Sequence, residues 1–286
     1  MKKGMKMWLI IAALLVLAGG IIFVAVMSAN NWDFSKLTTI KYTTNNYEIT
    51  ESFSDIAIDT TTADITFIKS TDGKCRVECF EDEKRAHTVK IENGTLKITE
   101  NDTRAWYDYI GINLNSTTIN VYLPDDFLGK LDISCTTGDV IVPSAYSFSA
   151  LNIHLTTGDA YIASDTIGQL KIKCTTGDIK LDTVKCGSLI IELTTGDVNM
   201  IRTMCVGKMN ITETTGNVKL DKCDASEINI KTTTGSITGS ITSDKTFAAS
   251  STTGSVNVPR NTSGGLCSLK TTTGNINITV KYFPND

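Results

Sequence analysis

The sequence predicts an all-β protein, a parallel β-solenoid with 19–20-residue coils preceded by one transmembrane helix. Three observations support this prediction: a Thr-Thr-Gly triplet that recurs at a nearly constant interval, apolar residues that alternate in phase with it, and one uncharged apolar run near the N-terminus. The chain has 286 residues, of which 41% are hydrophobic, so a sizeable core can form. Its Thr-rich, β-branched composition favours strands over helices.

The apolar run predicts a membrane anchor. Residues 7–27 contain no charge, and about 20 apolar residues suffice to span a hydrocarbon core of about 30 Å. Lys2, Lys3 and Lys6 precede the run, and the first charge after it is Asp33. By the positive-inside rule, the N-terminus stays in the cytoplasm and everything after residue 30 is exported. The predicted location is therefore the cell membrane, single-pass, with the body extracytoplasmic.

A cleaved signal peptide is the rival interpretation of the same segment. Its apolar region would usually span about 7–15 residues, and this run is longer. The tripeptide Met27-Ser28-Ala29 is also a poor cleavage site. We therefore expect a short cytoplasmic tail over residues 1–6, an uncleaved anchor over 7–28 and a juxtamembrane linker over 29–50.

The repeat dominates the rest of the chain. Thr-Thr-Gly occurs eight times, with intervals of 19 or 20 residues between successive glycines. A period this regular indicates stacked structural units. The glycines, which we expect to form structural corners, are Gly138, Gly158, Gly177, Gly196, Gly216, Gly235, Gly254 and Gly274.

Apolar residues recur five and seven positions before each glycine and two and four positions after it, with polar residues between them. This period of two predicts two short strands per coil, each with one face inward. One coil cannot bury its apolar face alone. Stacking at about 4.8 Å would pair each strand with its equivalents above and below, so eight coils would form a rod of about 40 Å.

The corner sequence has a structural explanation. Glycine can adopt the positive φ of a sharp turn, and an Asp or Asn beside it can hydrogen-bond the local backbone. Four stacked carboxylates would repel one another unless hydrogen bonds or a cation intervene, so they are weak candidates for a metal site. These candidates are Asp139, Asp159, Asp178 and Asp197. No metal and no cofactor is predicted.

The frame resembles a bacterial family of "putative adhesins", β-strand-repeat proteins of uncharacterised function. The resemblance rests on the recurring Thr-Thr-Gly-Asp-Val/Ile unit and on the lead-in TTINVYLPDDFLGKLDIS, residues 117–134. The segments FSDIAIDTTTADITFIKS (53–70) and HTVKIENGTLKITEND (87–102) are similar to the family's opening strands and hairpin. The resemblance covers about residues 50–280. It implies a fold and an envelope location, and it carries no catalytic residues.

The solenoid is expected to have irregular ends. Residues 51–130 read as less regular coils plus a cap, with a hairpin turn at Gly94, and residues 131–286 as the regular solenoid. At the far end, Lys281 and Pro284 would discourage edge-to-edge strand pairing.

Candidate chemistry is sparse. His87 and His154 fall in different parts of the repeat order without a partner cluster, so neither predicts a catalytic or zinc site. The eight cysteines are expected mostly as unpaired core residues in inward ladders, and no disulfide is predicted. Cys186 and Cys205 share one phase a single coil apart.

These observations predict a non-enzymatic function. The leading hypothesis is a membrane-anchored, extracytoplasmic, adhesin-like binding or scaffold module that contacts an envelope polymer or protein. The alternative is an accessory component of an envelope-stress sensing system, and a less favoured one is a polysaccharide-active β-helix enzyme. Nucleic acid is not an expected partner, because the formal charge is -4 and no Lys/Arg cluster recurs.

Overall fold

The computed structural model describes residues 3–33, 40–109, 115–124, 126–143, 146–164, 166–260 and 263–282. The chain divides into two compact units. One comprises Met1–Lys41 and Arg104–Asn115, and the other comprises Tyr42–Thr103 and Ser116–Asp286.

The first unit contains helix α1, Lys3–Ala29, and a short 3-10 helix, Trp106–Tyr109. The segment Gly4–Ala29 has a mean hydropathy of 3.1, and by length and composition it can cross a membrane. Its 26 residues would extend about 39 Å, more than the hydrocarbon core requires. The helix begins at Lys3, so it includes part of the segment that the sequence assigned to a cytoplasmic tail.

The second unit consists of strands. In chain order they are β1 (Tyr42–Ile49), β2 (Asp55–Thr62), β3 (Asp64–Lys69), β4 (Cys75–Asp82), β5 (Arg85–Glu92), β6 (Thr95–Asp102), β7 (Thr118–Leu123), β8 (Lys130–Thr137), β9 (Val140–Val142), β10 (Ser147–Thr157), β11 (Ala160–Ile162), β12 (Thr166–Thr176), β13 (Ile179–Asp182), β14 (Lys185–Thr195), β15 (Val198–Ile201), β16 (Met204–Thr215), β17 (Val218–Lys231), β18 (Ile237–Ile241), β19 (Lys245–Thr253), β20 (Val256–Asn257), β21 (Gly265–Thr273) and β22 (Ile276–Val280).

The strands form two long ladders, which we call sheet I and sheet II. From one end to the other, sheet I runs β5-β6-β2-β8-β10-β12-β14-β16-β17-β21-β19. Sheet II runs β1-β4-β7-β3-β9-β11-β13-β15-β17-β18-β22-β20. Each regular coil crosses from sheet I to sheet II at its Thr-Thr-Gly corner, and β17 contributes to both sheets.

The predicted solenoid is confirmed, together with its inward ladders. Equivalent residues of successive coils pair in parallel, as Ile153 does with Ile133 on one side and Ile172 on the other. These residues are buried in one continuous apolar core that follows the whole stack. Stacking coils therefore remove from water the apolar faces that a single coil would expose.

The coil order at the C-terminal end differs from the order of the sequence. Strand β17 pairs with β21, and β21 pairs in turn with β19, so the coil of Gly274 lies between the coils of Gly235 and Gly254. The backbone N–H of Gly235 accordingly donates to the carbonyl of Thr273, at 2.8 Å. Simple stacking in sequence order, which the repeat predicted, is wrong for this last pair.

The two coils differ in burial. The coil of Gly274 brings Leu269, Ile276 and Ile278 to the core, all of them buried. The coil of Gly254 brings Ala249 and Val256, which are partly covered or exposed. The inner coil is covered on both faces and the outer coil on one, which accounts for the difference.

The expected edge protection at the C-terminus is consequently wrong for Lys281. Its backbone N–H donates to the carbonyl of Ile241, at 2.8 Å, on an inner coil. Pro284 lies outside the described residues. The edge strands of this end are β19 and β20.

At the N-terminal end, β2 and β3 form a coil that continues the regular stack, with Ala63 and Asp64 at the corner. The next pairings, β2 with β6 and β3 with β7, are still parallel. Beyond β6 and β7 the pairing becomes antiparallel, between β5 and β6 in sheet I and between β4 and its neighbours in sheet II. Residues 42–49, assigned from the sequence to the linker, form β1. Asn93 and Gly94 both have positive φ at the β5–β6 turn, where a hairpin was predicted.

Candidate functional site

The corners leave no room for side chains. All eight corner glycines have positive φ, between 138° at Gly158 and 150° at Gly235. A Cβ atom on Gly158 would also lie 2.0 Å from the carbonyl oxygen of Gly138. Glycine is therefore required both by the turn and by the close approach of successive coils.

The corner aspartates hydrogen-bond between coils. The backbone N–H of Asp159 donates to Oδ1 of Asp139 at 2.7 Å, and the N–H of Asp178 donates to Oδ1 of Asp159 at 2.7 Å. The pattern continues through Asp197 to Asn217. Sequence reasoning expected bonds to the local backbone, whereas each carboxylate accepts from the next coil. These bonds offset part of the repulsion along the exposed ladder.

The outer face of sheet I carries an open depression of about 700 Å³, which we call the sheet I groove. It is lined by outward side chains of successive strands, chiefly Lys97, Asp132, Asn152, His154, Lys171 and Lys173. Asn152 donates to Asp132 at 2.6 Å, and Lys173 pairs with Glu192 at 2.7 Å. Within the described part of the chain, the side chains of His154 and Lys171 have no hydrogen-bonded or ionic partner. His154 is exposed, as its strand position predicts.

The outer face of sheet II offers a comparable polar surface. A second open depression is lined there by Lys180, Asn199, Lys219 and Asp221, among others. The ammonium of Lys180 lies 5.2 Å from the centre of the Tyr161 ring. This face provides an internal comparison for sheet I.

A buried polar cluster lies at the N-terminal end of the solenoid. Oε2 of Glu81 lies 2.5 Å from Nδ1 of His87, and Nε2 of His87 lies 2.9 Å from the hydroxyl of Thr60. The thiol of Cys79 belongs to the same cluster. The prediction that neither histidine has a partner cluster is therefore wrong for His87.

A second carboxylate completes this network. Glu100 accepts from the Thr60 hydroxyl at 3.0 Å and forms two hydrogen bonds with Arg85, both at 2.9 Å. Burial alone would raise the pKa of Glu100. The hydrogen bonds from Arg85, Thr60 and the Thr61 N–H outweigh burial and lower its pKa to about 2.

One inward ladder runs three residues before each corner, and we call it the corner ladder. In spatial order it comprises Thr60, Cys135, Leu155, Cys174, Leu193, Glu213, Thr232, Thr271 and Ser251. Glu213 is 2% exposed, and neither of its carboxylate oxygens has a hydrogen-bond partner among the described residues. Burial, together with the charge of Asp197, raises its pKa to about 7. The hydroxyl of Thr232, which also lacks a well-formed hydrogen bond, offsets this only in part.

All eight cysteines are buried with free thiols. Cys75 and Cys79 share the inward face of β4, and burial raises the pKa of each thiol to about 12. The sulfur atoms of Cys186 and Cys205, on paired strands, lie 2.8 Å apart. The hydrogen bond between them and their burial raise the pKa of Cys205.

The repeat frame and the two-sheet fold agree with one protein family. The family model described as Toastrack DUF4097 matches residues 53–281, most of the chain and nearly all of the second unit. The chain belongs to the Toastrack DUF4097 family. This match confirms the resemblance drawn from the corner repeats.

One solved structure has a similar fold, and a second gives a weaker match. A "putative adhesin" from Bacteroides fragilis is 17% identical, with a TM-score of 0.51 over 84% of this chain and 97% of that one. A "putative lipid binding protein" from Parabacteroides distasonis is 14% identical, with a TM-score of 0.45 over 85% and 98%. At 17% identity, the Bacteroides fragilis structure shows a similarity of fold alone. Among curated proteins, no sequence matches this Toastrack chain.

Sequence reasoning missed two features of the Toastrack domain. His87 and Glu81 meet only because the β4–β5 connection returns the chain, and no repeat marks that contact. Glu213 did carry a signal, because it is the acidic member of an otherwise neutral column three residues before the corners. An acidic residue at an inward position predicts a perturbed carboxylate.

Proposed function

We propose that this Toastrack protein is a membrane-anchored, extracytoplasmic binding module that holds an anionic envelope polymer along the sheet I groove and catalyses no reaction. The observation that carries the proposal is the groove itself. Outward polar side chains of consecutive coils form rows there, and the spacing of the rows is set by strand pairing at about 4.8 Å.

The geometry favours an extended ligand. A row of side chains across many parallel strands presents the same kind of hydrogen-bonding group at a fixed repeat, so successive units of a polymer meet equivalent partners. Each contact is weak in water, and several acting together give useful affinity. A rigid backbone held by inter-coil hydrogen bonds also lowers the entropy cost of binding.

The charges favour an anionic polymer. Lys97, Lys171 and Lys173 line the groove with His154, against two aspartates, Asp59 and Asp132. Asp132 is engaged by Asn152 and by Lys130, while Lys97 pairs with Glu92 at 2.8 Å and Lys173 with Glu192 at 2.7 Å. Lys171 has no ionic partner among the described residues, so its charge is available to a ligand.

The anchor favours the same function. An apolar helix preceded by lysines would keep the protein in the membrane and place the second unit on the outer side. A non-catalytic binding module of this kind needs only the sheet I groove to hold a ligand and helix α1 to keep it at the membrane.

The test compares two matched double variants of the full-length chain in detergent or nanodiscs. Lys171→Ala/Lys173→Ala removes charge from the sheet I groove, and Lys180→Ala/Lys219→Ala removes the same charge from sheet II. Binding to an array of acidic and neutral envelope polymers is then measured at two salt concentrations. At about 0.5–1 kcal/mol per exposed contact, the first variant should lose about 5–30-fold in affinity, and the second should resemble the wild type. Equal losses in both variants, or no polymer binding by the wild type, would contradict the proposal.

A further inference from the structure

We infer that Cys79, Glu81 and His87 form a binding site for a divalent transition metal, best matched to Zn²⁺. The site lies between the two sheets at the N-terminal end of the solenoid. The inference is independent of the proposed function, because the three ligands are buried and none of them lines the sheet I groove.

The fold brings three different donor atoms together. Cys79 and Glu81 are two residues apart on β4, so both point inward, and His87 enters from β5 in the opposite sheet. The thiol sulfur, a carboxylate oxygen and a ring nitrogen all lie within 4.8 Å of one another. Tetrahedral zinc bonds of about 2.0–2.3 Å require donor separations of about 3.3–3.8 Å. The cluster therefore needs only small side-chain shifts to enclose an ion.

The contact between Glu81 and His87 marks the place of a cation. Nδ1 of His87 and Oε2 of Glu81 are 2.5 Å apart, a distance at which a proton must lie between the two lone pairs. A metal ion can replace that proton. Binding would release it and the Cys79 thiol proton to solvent, leaving a thiolate, a carboxylate and a neutral imidazole around the ion.

The surrounding hydrogen bonds already have the pattern of a metal site's outer shell. Metal-bound imidazoles usually donate their second N–H to an oxygen that is itself held in place. Here Nε2 of His87 is 2.9 Å from the hydroxyl of Thr60, and that hydroxyl donates to Glu100. Asn45 donates to Oε1 of Glu81 at 2.6 Å and the backbone N–H of His87 donates to Oε2 at 2.7 Å, so the ion would use the remaining lone pair of Oε2.

The donor set selects among metals. One sulfur, one nitrogen and one carboxylate oxygen suit Zn²⁺ and its spectroscopic substitute Co²⁺. Ca²⁺ and Mg²⁺ prefer oxygen ligands throughout, so the thiol disfavours them. Two anionic donors would also balance the charge of a divalent ion, which a buried site requires.

Access to the site requires local opening. All three ligands are buried, but β1 and β5 are edge strands of their sheets, where local unfolding is least costly. We therefore expect slow uptake by the folded protein and fast uptake during refolding.

The test uses full-length protein in detergent, refolded with Zn²⁺ or Co²⁺ and then desalted. We expect one metal ion per chain by elemental analysis. With Co²⁺, the wild-type protein should show a thiolate-to-metal charge-transfer band. Cys79→Ser should abolish that band and lower metal content at least tenfold. Cys75→Ser, a buried thiol on the same face of the same strand, should leave both unchanged, with circular dichroism checking the fold of each variant.

The opposing results are equally definite. A wild-type protein that refolds with less than a tenth of an equivalent of metal, or a cobalt complex without the thiolate band, would overturn the inference. So would a Cys79→Ser variant that keeps the band. The cluster would then be a buried hydrogen-bond network and nothing more.

Discussion

The clearest quantitative consequence of the structure concerns Glu213. In the corner ladder this carboxyl group is buried between Leu193 and Thr232 without a hydrogen-bond partner among the described residues, and its pKa is raised to about 7 from an ordinary 4.5. The folded state therefore binds the Glu213 proton more tightly than the unfolded state does. Its contribution to stability is fully present below pH 4.5, falls as the pH rises toward 7, and levels off above that.

The magnitude follows from the same interval. A carboxyl group whose pKa rises from 4.5 to about 7 costs the folded state at most about 3 kcal/mol at pH 8, since each pH unit corresponds to about 1.4 kcal/mol. Glu213→Gln keeps the side-chain shape and removes the titration. We expect its free energy of unfolding to gain about 2–3 kcal/mol relative to the wild type between pH 4 and pH 8, or about 5–10 °C in melting temperature.

The measurement is a series of denaturant and thermal melts of both proteins from pH 4 to pH 9, followed by circular dichroism. Glu192→Gln is the matched control, because Glu192 is an outward neighbour on the same sheet and pairs with Lys173. It should change the pH dependence little. If Glu213→Gln retains the wild-type pH dependence, Glu213 is not the buried acid that its contacts indicate, and the reasoning is refuted.

Three further predictions follow from the corners, the coils and the anchor. Gly177→Ala should destabilise the fold by about 3 kcal/mol or more, because its Cβ would lie 2.0 Å from the Gly158 carbonyl oxygen, whereas Gly73→Ala, with open space around it, should cost about 1 kcal/mol in the same denaturant melts. Deleting one whole coil, Asp178–Gly196, should leave a soluble solenoid that melts cooperatively. Deleting Asp178–Gly187 should not, because removing half a coil breaks the register of both sheets. If the shorter deletion gave the better-folded protein, the 19-residue coil would not be the structural unit. Protease added to intact cells should digest the residues after α1, and protection of that region would contradict the proposed orientation.

The period of the repeat was sufficient to predict most of the fold. Eight glycines at intervals of 19 or 20 residues determine where each coil turns, and the alternation around them determines which side chains face inward. Both signals are local in the sequence. Because each coil pairs with its neighbours in the same register, the structure predicted for one coil applies to the next. The coil order at the C-terminus could not be predicted this way, because the coils of Gly254 and Gly274 carry the same corner and fit either place.

The buried cluster depends on contacts of another kind. His87 meets Thr60 across 27 residues and two strands away in sheet I, so no spacing rule connects them. The surface grooves could not be predicted from the sequence either. Outward residues are not constrained by core packing, and their composition does not identify a ligand. The repeated residues are those that the backbone turns and the core require. The binding properties depend mainly on positions where the residue type varies from coil to coil.

The exchanged coils have a consequence for biogenesis. The chain is synthesised from its N-terminus, so β19 and β20 are made before β21 and β22 and yet must end outside them. The penultimate coil therefore either waits undocked or docks first on β17 and β18 and is then displaced. In both cases β21 and β22 are the strands that finally cover the apolar end of the coil formed by β17 and β18. A chain truncated before Gly265 would leave that apolar end exposed to solvent. Stable burial of that end therefore requires that β21 and β22 have been synthesised.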